Sequence, residues 1–191
     1  MKRVSMYIGA TVVALALAVL PGHAQDKDKN ADRTANIGGR GQDRVTREVR
    51  HELVMLPYYG VFDNLAYRVD GGTVRLYGQV TRPTLKSDAE NVVKGIEGVT
   101  RVVNQIEVLP LSSMDDGIRI AAYRTIFGKP GLDRYAMQAV PPIHIIVNNG
   151  KVTLEGVVAT EGDKNQAGIY VNTVSSVFSV TNNLRVEGER K

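Results

Sequence analysis

Three histidines, no cysteine and one adjacent pair of aspartates, Asp115-Asp116, bound the chemistry open to this 191-residue chain. Hydrolysis by a nucleophilic triad needs a histidine held beside its nucleophile. A zinc site needs three or four ligands, commonly Cys or His. His23 falls in a segment read below as removed, so only His51 and His144 remain. His51 lies on the polar side of a predicted helix and reads as a surface residue. His144 stands between isoleucines in the outward register of a predicted strand, together with Ile146, and both read as contacts between domains. Asp115-Asp116 lacks the spacing of a calcium loop and sits at a helix start, where carboxylates cap free N–H groups. No nucleophile–base pair and no metal cluster emerges. The expectation is a protein that is not an enzyme and holds no cofactor.

The glycine pairs are equally uncatalytic. Gly71-Gly72 and Asn149-Gly150 each precede a strand rather than a helix, so they read as hairpin turns and not as phosphate loops. Gly78 and Gly156 fall on the apolar face of a strand, where glycine marks a close backbone approach; a helix packed over that spot is the expected neighbour. Asn104 and Asn182, in the inward register of a later strand, read as local hydrogen bonds at a strand bend.

These residues are positioned by a stretch that occurs twice. Val69 to Val80 returns 78 residues later as Val147 to Val158. The same offset pairs Ala89 with Ala167, Val93 with Val171, Asn104 with Asn182 and Val108 with Val186. A period this long belongs to a small domain rather than to a solenoid unit. In the first copy Val45, Val49, Leu53 and Leu56 form one apolar helical stripe over 44–56, with Asp43 as its predicted N-cap. Strands over 65–69 and 73–80, a helix after Pro83 and a strand over 99–108 complete it. The second copy opens a helix at Ser113–Asp116 that reaches Phe127, and matching Phe127-Gly128 to Tyr59-Gly60 predicts about ten extra residues between Lys129 and Val140. Its first strand, Ile143 to Val147, is apolar on both faces, where the first copy turns Ala66 and Arg68 outward. A strand apolar on both faces is buried on both, and the other copy is the nearest cover. The fold class is therefore α+β, two αββαβ repeats, each a three-stranded mixed sheet with two helices on one face.

The N-terminus reads as an export signal over residues 1–24: Lys2 and Arg3, an uncharged run from Tyr7 to Leu20, and small residues up to Ala24. That run is short for a membrane span, which needs about 20 residues. Cutting after Ala24 removes two cations and lowers the net charge from +4 to about +2. No concentrated basic face remains, which argues against nucleic acid as a partner. Residues 25–43 are polar and read as a flexible linker, ahead of repeat 1 over 44–110 and repeat 2 over 111–187.

The strands Val74-Arg75-Leu76-Tyr77-Gly78-Gln79-Val80 and Val152-Thr153-Leu154-Glu155-Gly156-Val157-Val158, each followed by a helix and a strand, resemble tandem BON domains. The resemblance spans about Arg44 to Val186 and places the family's hallmark glycine at Gly78 and Gly156. It implies a periplasmic protein of envelope maintenance or osmotic stress, without catalytic activity, that binds phospholipid or an envelope assembly. The chain departs from lipid-anchored relatives in having no cysteine. Two surfaces are candidates for membrane or partner contact: the aromatic turn Tyr58, Tyr59 and Phe62, since Tyr favours the headgroup level, and the insert with Lys129, Arg134, Tyr135 and Met137, since cations near an anionic surface contribute about 1 kcal/mol each. The expected partner is anionic phospholipid, with an envelope protein as the alternative and self-association to raise avidity.

Overall fold

The computed structural model describes residues 27–188, with side chains from residue 41 onward. The export signal expected over 1–24 lies outside the described residues. The chain divides into two units, 1–36 and 37–191. The described part of the first is helical; the second holds both repeats.

Repeat 1 runs α1 (Lys27–Val54), β1 (Asn64–Asp70), β2 (Thr73–Val80), α2 (Pro83–Lys94), β3 (Arg101–Asn104) and β4 (Glu107–Val108). Helix α1 starts at Lys27, inside the segment read as a flexible linker, so Asp43 lies within the helix and caps nothing. The Lys, Ala and Arg residues of that segment have good helix propensity, which its polar composition hides. Packing begins further on: Val45, Val49 and Leu53 are buried against Val74, Leu76 and Val80 of β2 and Leu85, Ala89 and Val93 of α2.

Repeat 2 runs α3 (Ser113–Phe127), a 3-10 turn (Asp133–Met137), β5 (Ile143–Asn148), β6 (Lys151–Val158), α4 (Glu161–Asn172), β7 (Ser179–Asn182) and β8 (Arg185–Val186). Helix α3 begins one residue before the Ser113–Asp116 spacing suggested, because the Ser112 side chain accepts from the Asp115 N–H. Its buried stripe Ile118, Ala122 and Ile126 answers Val45, Val49 and Leu53 at an offset of 73, against 78 for the strands. The extra loop is therefore five residues long, not ten.

In each sheet the central strand pairs antiparallel with the first and parallel with the third, and the third is broken in two. The break has a local cause. Asn104 Oδ1 accepts from the Ile106 N–H while its Nδ2 donates to the Lys86 carbonyl, and Asn182 does the same with Leu184 and Lys164. The broken row passes Gly78 and Gly156, whose φ angles are +113° and +125°. What approaches these glycines is the neighbouring strand's backbone, the carbonyls of Asn64 and Pro142, and not a helix.

Candidate functional site

β5 is an edge strand buried on both faces: Ile143, Ile145 and Val147 face their own core, while His144 and Ile146 face outward and are also buried. The cover comes from the turn before β1. Tyr59 stacks on His144 with ring centroids 5.5 Å apart, Phe62 meets the edge of Tyr123 on α3 at 6.3 Å, and the Ile145 N–H donates to the Val61 carbonyl at 2.7 Å. Arg119 of α3 caps the same edge at the Val147 carbonyl. Ile146 lines a small cavity with Gln79, Glu107 and Leu109 of repeat 1. Beside this junction a cleft of about 1180 Å³ opens between residues 64–67 of β1 and the Glu155–Val157 and Asn182–Arg185 stretches of repeat 2.

The junction holds a buried histidine. Burial pushes the His144 imidazole down from its usual value of 6.5, against the opposing pull of the Gly60 and Asp63 carbonyls and the Asp63 and Glu155 carboxylates. Its Nδ1 makes no hydrogen bond, and its Nε2 lies 3.5 Å from the Tyr59 hydroxyl. Burial likewise pushes Tyr59 up to about 12, so it stays neutral. A histidine with a depressed folded pKa stabilises fully above its unfolded value and loses that contribution as pH falls through the folded one. The protection factor of the Ile145 amide should therefore fall between pH 7 and pH 5 in the native chain and hold steady in His144→Phe. Equal slopes in the two proteins would rule the histidine out as the cause.

The surface nominated from aromatic and basic residues does not form as expected. Tyr135 is buried: its hydroxyl accepts from the Ala159 N–H at 2.8 Å and donates to Asp163 at 2.9 Å. Arg134 is tied to the same carboxylate at 2.6 Å, and Tyr59 and Phe62 are spent on the junction. Leu132 and Tyr135 place the insert in the repeat 2 core. Tyr58, stacked beneath the Arg82 guanidinium, Lys129 and Met137 remain exposed, and Arg134 is exposed but paired to Asp163. Asp115 is buried as well, accepting from the Asn149 and Gly150 N–H groups, so it fastens the hairpin rather than capping its helix.

A different apolar surface stands at the hairpin end of repeat 2. Phe178 is 80% exposed and Met114 54%, and both flank Gly150. Lys151 begins the adjoining strand and is exposed. The counterparts at Phe178 and Met114 in repeat 1 are Thr100 and Gly41, by the strand and helix offsets. The signal was available in the sequence as that pair of differences, since an aromatic in a turn where the sister repeat has Thr is not there for the common fold. Among the described residues no group of three or more His, Asp or Glu is placed to hold a metal ion, and no helix is long and apolar enough to cross a membrane.

Two αββαβ units joined through the β5 edge strand define a tandem-repeat α+β protein. Residues 42–110 and 132–188 match the BON domain, and the chain belongs to the BON domain family. This is a family of non-catalytic binding domains associated with envelope and transport proteins. The chain is also similar to the C-terminal domain of CdsD, a structural protein of the type III secretion system of Chlamydia trachomatis, at 12% identity and a TM-score of 0.26, over 73% of this chain and 96% of that one. A second CdsD structure gives 11% identity and a TM-score of 0.26 over 76% and 94%. Scores of this size are too low to bear on architecture. No curated protein matches the chain.

Proposed function

We propose that this chain is an exported, non-catalytic envelope protein that binds an anionic phospholipid surface through the hairpin end of its second repeat. The observation that carries the reading is the exposed pair Phe178 and Met114 around Gly150, with Lys151 beside it. A convex apolar tip with an adjoining cation suits the headgroup boundary, where rings and thioethers gain cover while the cation meets phosphate. Partial burial of the two side chains and one cation together give about 4–5 kcal/mol, a dissociation constant near millimolar. Binding by one copy is therefore weak, and several copies on one surface hold far more firmly.

Vesicle co-sedimentation of the protein without residues 1–24 tests this, using neutral and anionic vesicles at low and physiological salt. The native protein should pellet with anionic vesicles and less so as salt rises. Phe178→Ser with Met114→Ser should lower the bound fraction roughly tenfold at unchanged melting temperature, and Lys151→Gln should flatten the salt dependence. Undiminished binding in the double variant would sink the assignment of the tip. Failure to pellet with any vesicle would move the function to an envelope protein partner.

A further inference from the structure

The two repeats carry the two halves of one interface, and only one pair of halves is joined within the chain. In the joined pair the Ile145 N–H, pointing away from β6, reaches the Val61 carbonyl, and Tyr59 covers His144. The 78-residue offset makes Tyr67 the counterpart of Ile145 and Ala66 the counterpart of His144. The Leu76 carbonyl accepts from Gln105, on the far side of β2. In the antiparallel pair Tyr67–Leu76 the amides therefore face away from each other, and the Tyr67 N–H points out of the sheet. It has no hydrogen-bond partner among the described residues. β1 is an edge strand, and residues 64–67 line the open cleft.

The complementary half stands on repeat 2. Tyr59, Gly60, Val61 and Phe62 correspond to Met137, Gln138, Ala139 and Val140. Met137 is 88% exposed, Gln138 has extended backbone angles (φ −88°, ψ 147°), and Ala139 is exposed. An uncovered bend whose Ala139 carbonyl has no hydrogen-bond partner among the described residues can serve an unpaired edge strand as the turn at Val61 serves β5. The side chains match in the same sense: where aromatic Tyr59 lies on His144, a flexible Met137 thioether would lie on the small Ala66.

We propose that segment 137–140 of one copy docks on the β1 edge of a second copy, repeating between molecules the contact that joins the two repeats within one. The Ala139 carbonyl accepts from the Tyr67 N–H, and Met137 covers Ala66. Such a contact is heterologous: each copy keeps one free edge and one free loop, so copies add head to tail into a ring or an open filament. It also sets many weak lipid-binding tips on one surface, although the proposal itself does not depend on lipid.

Sedimentation equilibrium without vesicles, from micromolar to near-millimolar protein, tests it. The native chain should rise in mass past the dimer, with protection of the Tyr67 amide rising in step. Ala66→Asp blocks the edge and Met137→Asp blocks the loop; both positions are exposed, so the melting temperature should hold, and Met137→Ser serves where the charged variant does not fold. Each blocked variant alone should stay monomeric. Mixed together, they retain one good edge and one good loop between them, and should double in mass and go no further. A native chain that stays monomeric throughout, a blocked variant that still assembles, or a mixture that fails to pair would each overturn the proposal.

Discussion

Gly156→Ala should remove about 4 kcal/mol of stability, enough to unfold repeat 2 at physiological temperature. Two costs combine. Gly156 has φ +125°, a region closed to L side chains, and holding alanine there costs on the order of 1–3 kcal/mol. The added methyl would also overlap the Pro142 carbonyl oxygen and press on its carbon at 3.0 Å, with the Ile143 Cα already in contact at 3.5 Å. All of these are backbone atoms of the paired strand, so no rotamer change relieves them, and overpacking adds about 1–3 kcal/mol more. Moving β5 away would loosen the Val157 N–H bond to Pro142 and the register that presents Ile145 to repeat 1. Gly78→Ala should behave alike against the Asn64 carbonyl. Gly117→Ala is the control: it lies inside α3 with nothing within 4 Å of the added carbon, so it should gain about 1 kcal/mol. Urea denaturation of the three variants checks the set. A Gly156→Ala protein within about 1 kcal/mol of native would mean that the strand pair relaxes freely.

The parts of this molecule legible in its sequence are those set by local pattern. Period-2 alternation from Val74 to Val80 and period-4 spacing from Val45 to Leu53 name strand and helix before any tertiary contact exists. The 78-residue register then carries one repeat's elements onto the other. The two-faced run Ile143 to Val147 announced burial on both sides, because alternation that disappears needs a second cover. What the pattern cannot carry is which neighbour supplies a contact. Gly156 reads as a close approach, but the approach is made by Pro142, fourteen residues earlier across the hairpin, and only register tells a strand from a helix there. Tyr135 failed as a surface residue for the same reason. An amphipathic tyrosine beside Arg134 suits an interface and a core equally well, and the choice rests on a hydrogen-bond vacancy elsewhere.

That vacancy is visible when the repeats are compared. In repeat 1 the buried Asp63 carboxylate accepts from the Thr81 N–H at 2.6 Å and from its hydroxyl at 2.9 Å, closing the turn after β2. The 78-residue counterpart of Thr81 is Ala159, and that of Asp63 is Pro141, which has no side-chain acceptor. The five-residue extension answers this: it carries the Tyr135 hydroxyl to the Ala159 N–H and fixes it against Asp163. The insert thus replaces a missing carboxylate, and the exposed segment 137–140 is left just beyond it.

Tyr135→Phe should therefore cost about 2–3 kcal/mol although it deletes a single oxygen, because it strands the Ala159 N–H and takes one donor from Asp163. For a chain of this size that is a fall in Tm of roughly 4–12 °C. The acid side separates this from a packing defect. Burial pushes the Asp163 carboxyl up, but the hydroxyls of Thr160 and Tyr135 and the Arg134 guanidinium outweigh it and hold the group below its usual 3.8. With a depressed folded pKa, the stabilisation is complete above the unfolded value and drains away as pH falls through the folded one. Melting curves from pH 7 down to pH 3 should show the native protein losing this contribution below about pH 4. Tyr135→Phe, with one stabilising hydroxyl gone, should lose less in total than the native chain and complete its loss at a higher pH. Asp163→Asn should be the least stable of the three at neutral pH and the flattest in acid, since no proton remains to be taken up at that position. Parallel acid slopes in all three would show that the Tyr135–Asp163 bond contributes nothing to the fold, and the account of the insert as a substitute for Asp63 would fall with it.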